Sequence, residues 1–274
     1  MRYLMLLLCF ATTCCFADTK QLRTGAQQLV HDPASSPISL KTKRVALVVN
    51  QSSVVGETHL LELLLDQGFT IHTVFSPEHG FRGTADAGAQ VDNSIDAATG
   101  IAIQCLYGKN KKPTAQALKN IDLLIFDLQD VGVRYYTYLS TLHYVMEAAA
   151  EQAIPLLVLD RPNPNGAYID GPILEKDYQS FVGLHPIPLL HGMTLGELAL
   201  MIKGEGWVNK AQQLKLYVLP MEHYQRDKPY DLPVRPSPNL PNAQAVALYP
   251  SLGFFEATPL SVGRGTNFPF QVLG

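Results

Sequence analysis

Three stretches of the chain group residues that could do chemistry. "FSPEHGFRG" (75–83) offers Glu78, His79 and Arg82 within five positions, between a Pro and two glycines. "DLQDVGVRYYTY" (127–138) carries Asp127, Gln129, Asp130, Arg134 and the tyrosines 135, 136 and 138. "LDRPNPNG" (159–166) adds Asp160, Arg161, Asn163 and Asn165. Asn50 to Ser52 end an earlier apolar run, Tyr107 another, and "LLHGMTLGE" contributes His191 and Thr194. Carboxylates interleaved with amides, guanidinium groups and tyrosines suit a polyol. Rings stack on sugar faces, and a carboxylic acid can protonate a glycosidic leaving oxygen while a second group handles the cationic centre or water. Each residue also has a structural reading: Asp127 as a turn cap, Asp160–Arg161 as an ion pair, "NPNG" as a plain turn.

The elements that must position these groups alternate. Strand patterns cover 44–53, 70–77, 100–108, 121–130, 154–164 and 214–221, the fourth apolar enough for burial on both faces. Helix patterns cover 58–69, 114–120, 138–153 and 194–206, the last opening on Thr194 with Glu197 at the capping-box position. A short surface helix is expected at "TGAQQLVHD". Strands alternating with helices predict an α/β fold, a Rossmann-like, doubly wound and mostly parallel sheet. Ligands of such sheets bind beyond the carboxyl ends of the strands, and every group named above follows a strand.

Composition bounds the partners. The 274 residues are 47% hydrophobic and 16% charged, with net charge −3 and no basic block, which disfavours nucleic acid. Neither G-x-G-x-x-G nor a P-loop is present, so a nucleotide cofactor is disfavoured as well. Glu78, His79, Asp127 and His191 have no spacing that specifies a metal. Residues 1–17 read as a signal peptide, with Arg2, the apolar run Leu4 to Phe10 and "CFA" before Asp18, too short a run to span a bilayer. An exported, periplasmic or secreted protein follows. Cys14 and Cys15 raise lipidation, although the preceding "ATT" lacks the expected leucine. After the leader only Cys105 remains, in an apolar strand pattern, so a buried structural thiol is expected. Residues 18–39 are a polar extension and 40–222 the main domain. The Pro-rich texture from 223 to 274 begins a second domain that stops abruptly at "PFQVLG", as in a C-terminally truncated chain.

The motifs "SPEHGFRG", "DLQDVGVRYYTY", "LDRPNPNG", "GLHPIPLLHGMTLGELA" and "YPSLGFFEATPLSVGRGTNFPFQ" resemble the NamZ-type exo-β-N-acetylmuramidases over about residues 40–274. The resemblance implies a Rossmann-like domain and a smaller second domain with the site between them. It implies release of N-acetylmuramic acid from non-reducing ends of peptidoglycan fragments, with no metal or organic cofactor and with Glu78 as the catalytic carboxylate. Glu78 would then be the general acid. Asp130 or Asp127 would be base or nucleophile, or the substrate's 2-acetamido group would attack instead. Asn50, His79, Arg82, Arg134, Tyr135, Tyr136, Arg161, Asn163, His191 and Arg264 are the binding candidates, the arginines competing to clamp the lactyl carboxylate. Two positions depart from the pattern: Ala257 and Pro259 stand where the family has Gly and Asn. A non-catalytic wall-sugar binder and a metal-dependent hydrolase are the competing readings.

Overall fold

Short runs of Val, Leu and Ile form the strands of the central sheet. The computed structural model describes residues 21–86, 88–89 and 92–274. The leader assigned to residues 1–17 lies outside them. In chain order the elements are α1 (Gly25–His31), β1 (Arg44–Val49), the hairpin β2 (Val54–Val55) and β3 (Thr58–His59), α2 (Leu60–Asp66), β4 (Thr70–Ser76), β5 (Ser94–Ile95), β6 (Ala102–Cys105), β7 (Leu123–Asp127), α3 (Tyr138–Glu151), β8 (Leu156–Leu159), β9 (Ile169–Asp170), β10 (Leu190–His191), α4 (Leu195–Gly204), β11 (Leu216–Leu219) and α5 (Ala243–Leu252).

The main sheet runs β11-β8-β7-β1-β4-β6-β5. All pairs are parallel except β5 with β6, an antiparallel edge. The chain lays β1, β4 and β6 outward in one direction, then returns to β1 and lays β7, β8 and β11 in the other. This is the doubly wound order, and its topological switch point falls between β1 and β7. Alternate strand residues serve opposite faces. Ala46, Val48, Leu124, Phe126, Leu156 and Val158 pack under α3, α4 and α5. Val45, Leu47, Val49, Leu123, Ile125 and Leu157 pack against α1 and α2. Burial on both faces is why these strands read as unbroken apolar runs.

Local chemistry starts the helices. Thr24 and Gln27 form a capping box on α1, and Thr194 and Glu197 form one on α4. The α1 helix is more than a surface element, since Ala26 and Leu29 are fully buried and the Gly25 amide donates to Asp160 O. Residues 114–120 are hydrogen-bonded turns rather than the expected helix. One i→i−4 bond, Leu118 N to Thr114 O, forms before Asn120 turns left-handed at φ 68°. So short a segment does not repay helix nucleation. Cys105 is buried at the end of β6, as a structural thiol requires. No helix among the described residues is long and apolar enough to cross a membrane.

Candidate active site

The carboxyl ends of the strands hold two different polar assemblies. The first fills the switch point. Asn50 is wholly buried, donates from Nδ2 to the Tyr138 hydroxyl at 2.8 Å and accepts from the Ser52 amide at 3.0 Å. Asp127, also wholly buried, takes a two-pronged ion pair from Arg161, Nε to Oδ1 at 2.5 Å and Nη2 to Oδ2 at 2.8 Å. Above them runs the Pro-rich segment. The Pro236 carbonyl accepts from Gln51 Nε2, Tyr136 and Tyr138. A crevice that accepts a nucleotide in other doubly wound sheets is thus occupied by the chain's own side chains and by residues 235–236.

Around it the remaining candidates serve the backbone. Asp160 caps the start of α4, accepting from Thr194 Oγ1 at 2.7 Å and the Gly196 amide at 2.8 Å, and burial pushes it up to about 6. Asn163 braces the Met193 carbonyl and the Asn165 amide. Arg134 donates to the carbonyls of Pro172 and Ile187. Arg82 pairs with Asp96 at 2.6 Å. Asp130 is buried, accepts from the Gly132 amide at 2.6 Å, and is pushed up to about 7 by desolvation. His191 Nε2 lies 3.8 Å from Asp130 Oδ2, and burial lowers the imidazole to about 4.

The second assembly surrounds a cavity of about 470 Å³, within the usual range of small-molecule sites. Four of the residues singled out from sequence line it: Glu78, His79, Tyr135 and Tyr136. Glu78 leaves β4 in a turn closed by the Gly80 amide on Pro77 O at 3.1 Å. His79 takes the left-handed third position at φ 71°, where glycine is the usual occupant. Its Nδ1 donates to Ala85 O at 2.7 Å and locks the ring. Such strained, over-determined turns gather at functional sites.

Two donors converge on Glu78. Its Oε1 accepts from the Gly88 amide at 3.0 Å and its Oε2 from Thr137 Oγ1 at 2.8 Å. Burial first, and then the nearby Glu78 carboxylate, pushes the Tyr107 hydroxyl up to about 12. Thr137 is the N-cap residue of α3 but caps nothing with its hydroxyl, which goes to Glu78. A cap is worth roughly 0.5–2 kcal/mol, so the helix forgoes stability to position the carboxylate at its positive end.

The far wall comes from residues 237–270. Ser237, Asn239, Tyr249, Phe254, Glu256, Ala257 and Phe270 line it. Tyr135 hydroxyl bonds to the Tyr249 and Pro250 carbonyls at 2.6 and 3.0 Å and ties this wall to α3's approach. Glu256, with a 31% exposed side chain, pairs with Arg264 at 3.0 Å. The motif "YPSLGFFEATPLSVGRGTNFPFQ" contains it, and Ala257, one of the two departures from the family pattern, stands beside it on the cavity wall. Of the expected aromatic platforms, Tyr135 and Tyr136 reach the cavity, whereas Tyr138 is fully buried under the sheet edge. Among the described residues no three His, Cys, Asp or Glu side chains converge as a metal site needs.

Comparison with known proteins decides the family. A family described as "Exo-beta-N-acetylmuramidase NamZ, N-terminal" matches residues 45–244, and its C-terminal counterpart matches 247–274. This chain belongs to the NamZ family. It is 46% identical over 265 residues to the peptidoglycan beta-N-acetylmuramidase NamZ of Bacillus subtilis strain 168, a match covering 94% of this chain and 62% of that protein's length. Two crystal structures of DUF1343 family proteins from Bacteroides fragilis NCTC 9343 share the NamZ fold seen here. One is 47% identical with TM-score 0.82 and covers 93% of this chain and 67% of its own. The other is 35% identical with TM-score 0.83, covering 92% and 65%.

Proposed function

We propose that this NamZ-family chain is an exo-acting glycoside hydrolase that releases N-acetylmuramic acid from the non-reducing ends of peptidoglycan fragments. The observation that carries the reading is Glu78, buried in the cavity wall and gripped by Gly88 and Thr137. The Bacillus subtilis relative, a peptidoglycan beta-N-acetylmuramidase, supports the substrate class. Glu78 acts as the general acid toward the leaving oxygen. Tyr135, Tyr136 and Phe254 supply ring faces for the sugar, and Thr137, Ser237 and Asn239 supply hydrogen bonds. Export by a cleaved leader, for cell-wall turnover or recycling, belongs to the same proposal.

The test is end-specific release. The chain is given peptidoglycan oligosaccharides carrying either N-acetylmuramic acid or N-acetylglucosamine at the non-reducing end, and products are read by mass spectrometry. Free N-acetylmuramic acid from the first set alone is the expected result. Saturable binding without release would make it a wall-sugar binder. Activity lost on chelation and regained with one divalent ion would make it a metal-dependent hydrolase.

A further inference from the structure

A glycosidase that protonates its leaving group also needs a group for the water or the cationic centre. Asp127 and Asp130, the candidates expected from sequence, are not among the residues that line the cavity. Asp127 is consumed by Arg161, and Asp130 is buried against Gly132 and His191. The cavity has one other carboxylate, Glu256, on the wall contributed by the 253–257 turn.

We propose that Glu256 is the second catalytic carboxylate and takes the proton from the attacking water, with Arg264 holding it ionised and aimed. The inference rests on the hydrolase reading above. The charged and titratable groups around Glu256 are Arg264, Glu78, Tyr135 and Tyr249. Burial raises its proton affinity and the Arg264 guanidinium at 3.0 Å opposes that rise, while Glu78 adds to it only when ionised. The net direction is upward, which makes a stronger base than an ordinary carboxylate while Arg264 still favours the anion. The step balances. The C1–O bond breaks as Glu78 gives its proton to the leaving oxygen. Water adds to C1, and the proton it loses goes to Glu256. Proton exchange with solvent restores both groups.

The experiment uses the chain with an aryl β-N-acetylmuramide whose leaving group needs no acid, so that loss of a base is not masked. Glu256→Gln and Glu256→Ala are compared with wild type, and circular dichroism checks that each is folded. A base role predicts a kcat lower by about 10²–10⁴-fold with KM within a few-fold. It predicts that azide restores turnover at least tenfold in Glu256→Ala. It also predicts that Glu256→Gln loses the acidic limb of the kcat/KM profile, where wild-type Glu256 becomes protonated. Glu256→Ala keeping more than a third of wild-type kcat overturns the proposal. So does a loss that azide fails to rescue, since a merely structural Arg264–Glu256 pair gives that result. A wild-type chain that releases no muramic acid from any substrate removes the hydrolase reading and this inference with it. Active wild type with an unaffected Glu256→Ala removes only the inference.

Discussion

Removing the Asp127 carboxylate tests whether that residue holds the fold or does chemistry. The Asp127–Arg161 pair is among the most buried in the molecule, with side chains 0% and 4% exposed and both guanidinium prongs engaged. Asp127→Asn keeps the shape but leaves an uncompensated cation, with an amide donor facing a guanidinium donor. Breaking a buried pair in this way costs about 3–5 kcal/mol. Against a domain stability of about 5–15 kcal/mol the variant still folds, but with its melting temperature lowered by about 6–20 °C. Trp207, the only tryptophan in the chain, stacks on His185 at 5.1 Å and reports urea unfolding by fluorescence. Replacing both partners, as Asp127→Leu with Arg161→Met, should recover much of the loss, because two apolar groups leave no stranded charge. The folded fraction of Asp127→Asn should keep wild-type turnover on muramic-acid substrates. A stability change below about 1 kcal/mol, or a folded variant whose kcat falls a hundredfold, refutes the structural assignment.

Two further outcomes follow from the same packing. Burial raises Asp130 from 3.8 to about 7, so the native state holds its proton more tightly than the unfolded chain. The stability this contributes is present below about pH 4 and is lost as pH rises through about 7. The stability of Asp130→Asn relative to wild type should therefore rise between pH 4 and pH 8 by roughly 2–4 kcal/mol, and urea midpoints at the two pH values read it. A pH-independent difference contradicts it. Gly25→Ala is expected to destabilise by about 1–3 kcal/mol in thermal melts, because its Cβ would lie 2.7 Å from Asp160 N and 3.0 Å from the Leu159 carbonyl carbon, which are backbone atoms with nowhere to go. A variant that melts with wild type would mean that α1 is free to shift.

The sheet was legible because parallel strands buried on both faces have to be apolar along their buried length, as "VALVV" and "LLIF" are. The start of α4 was legible because Thr194 and Glu197 form a local device. Glu78 was one strand-end candidate among several by residue type, and the resemblance to the NamZ-type enzymes singled it out. The fate of Asp127 was not legible. Its partner Arg161 lies 34 residues away on a neighbouring strand end, and local sequence does not distinguish a paired carboxylate from a reactive one. Helix α5 was hidden by Pro250 inside it, which reads as a breaker. The structure compensates at a distance: Val246 O, which a residue-250 amide would have bonded, accepts from Asn165 Nδ2 at 3.3 Å. Glu256 escaped notice for a related reason. It sits in a turn without periodicity, and only the fold brings that turn opposite Glu78.

The account centres on Glu78 as the acid of a muramic-acid-releasing hydrolase. The most direct measurement is kcat/KM for wild type and Glu78→Gln on the disaccharide of N-acetylmuramic acid β-linked to N-acetylglucosamine, whose leaving group needs protonation. Glu78→Gln is isosteric; its oxygen can face the Gly88 amide while its NH2 donates to the Thr137 hydroxyl, which accepts as well as donates, so folding should be unchanged. The prediction is active wild type and a variant reduced by about 10²–10⁴-fold. Equal kcat/KM for the two proteins would contradict it.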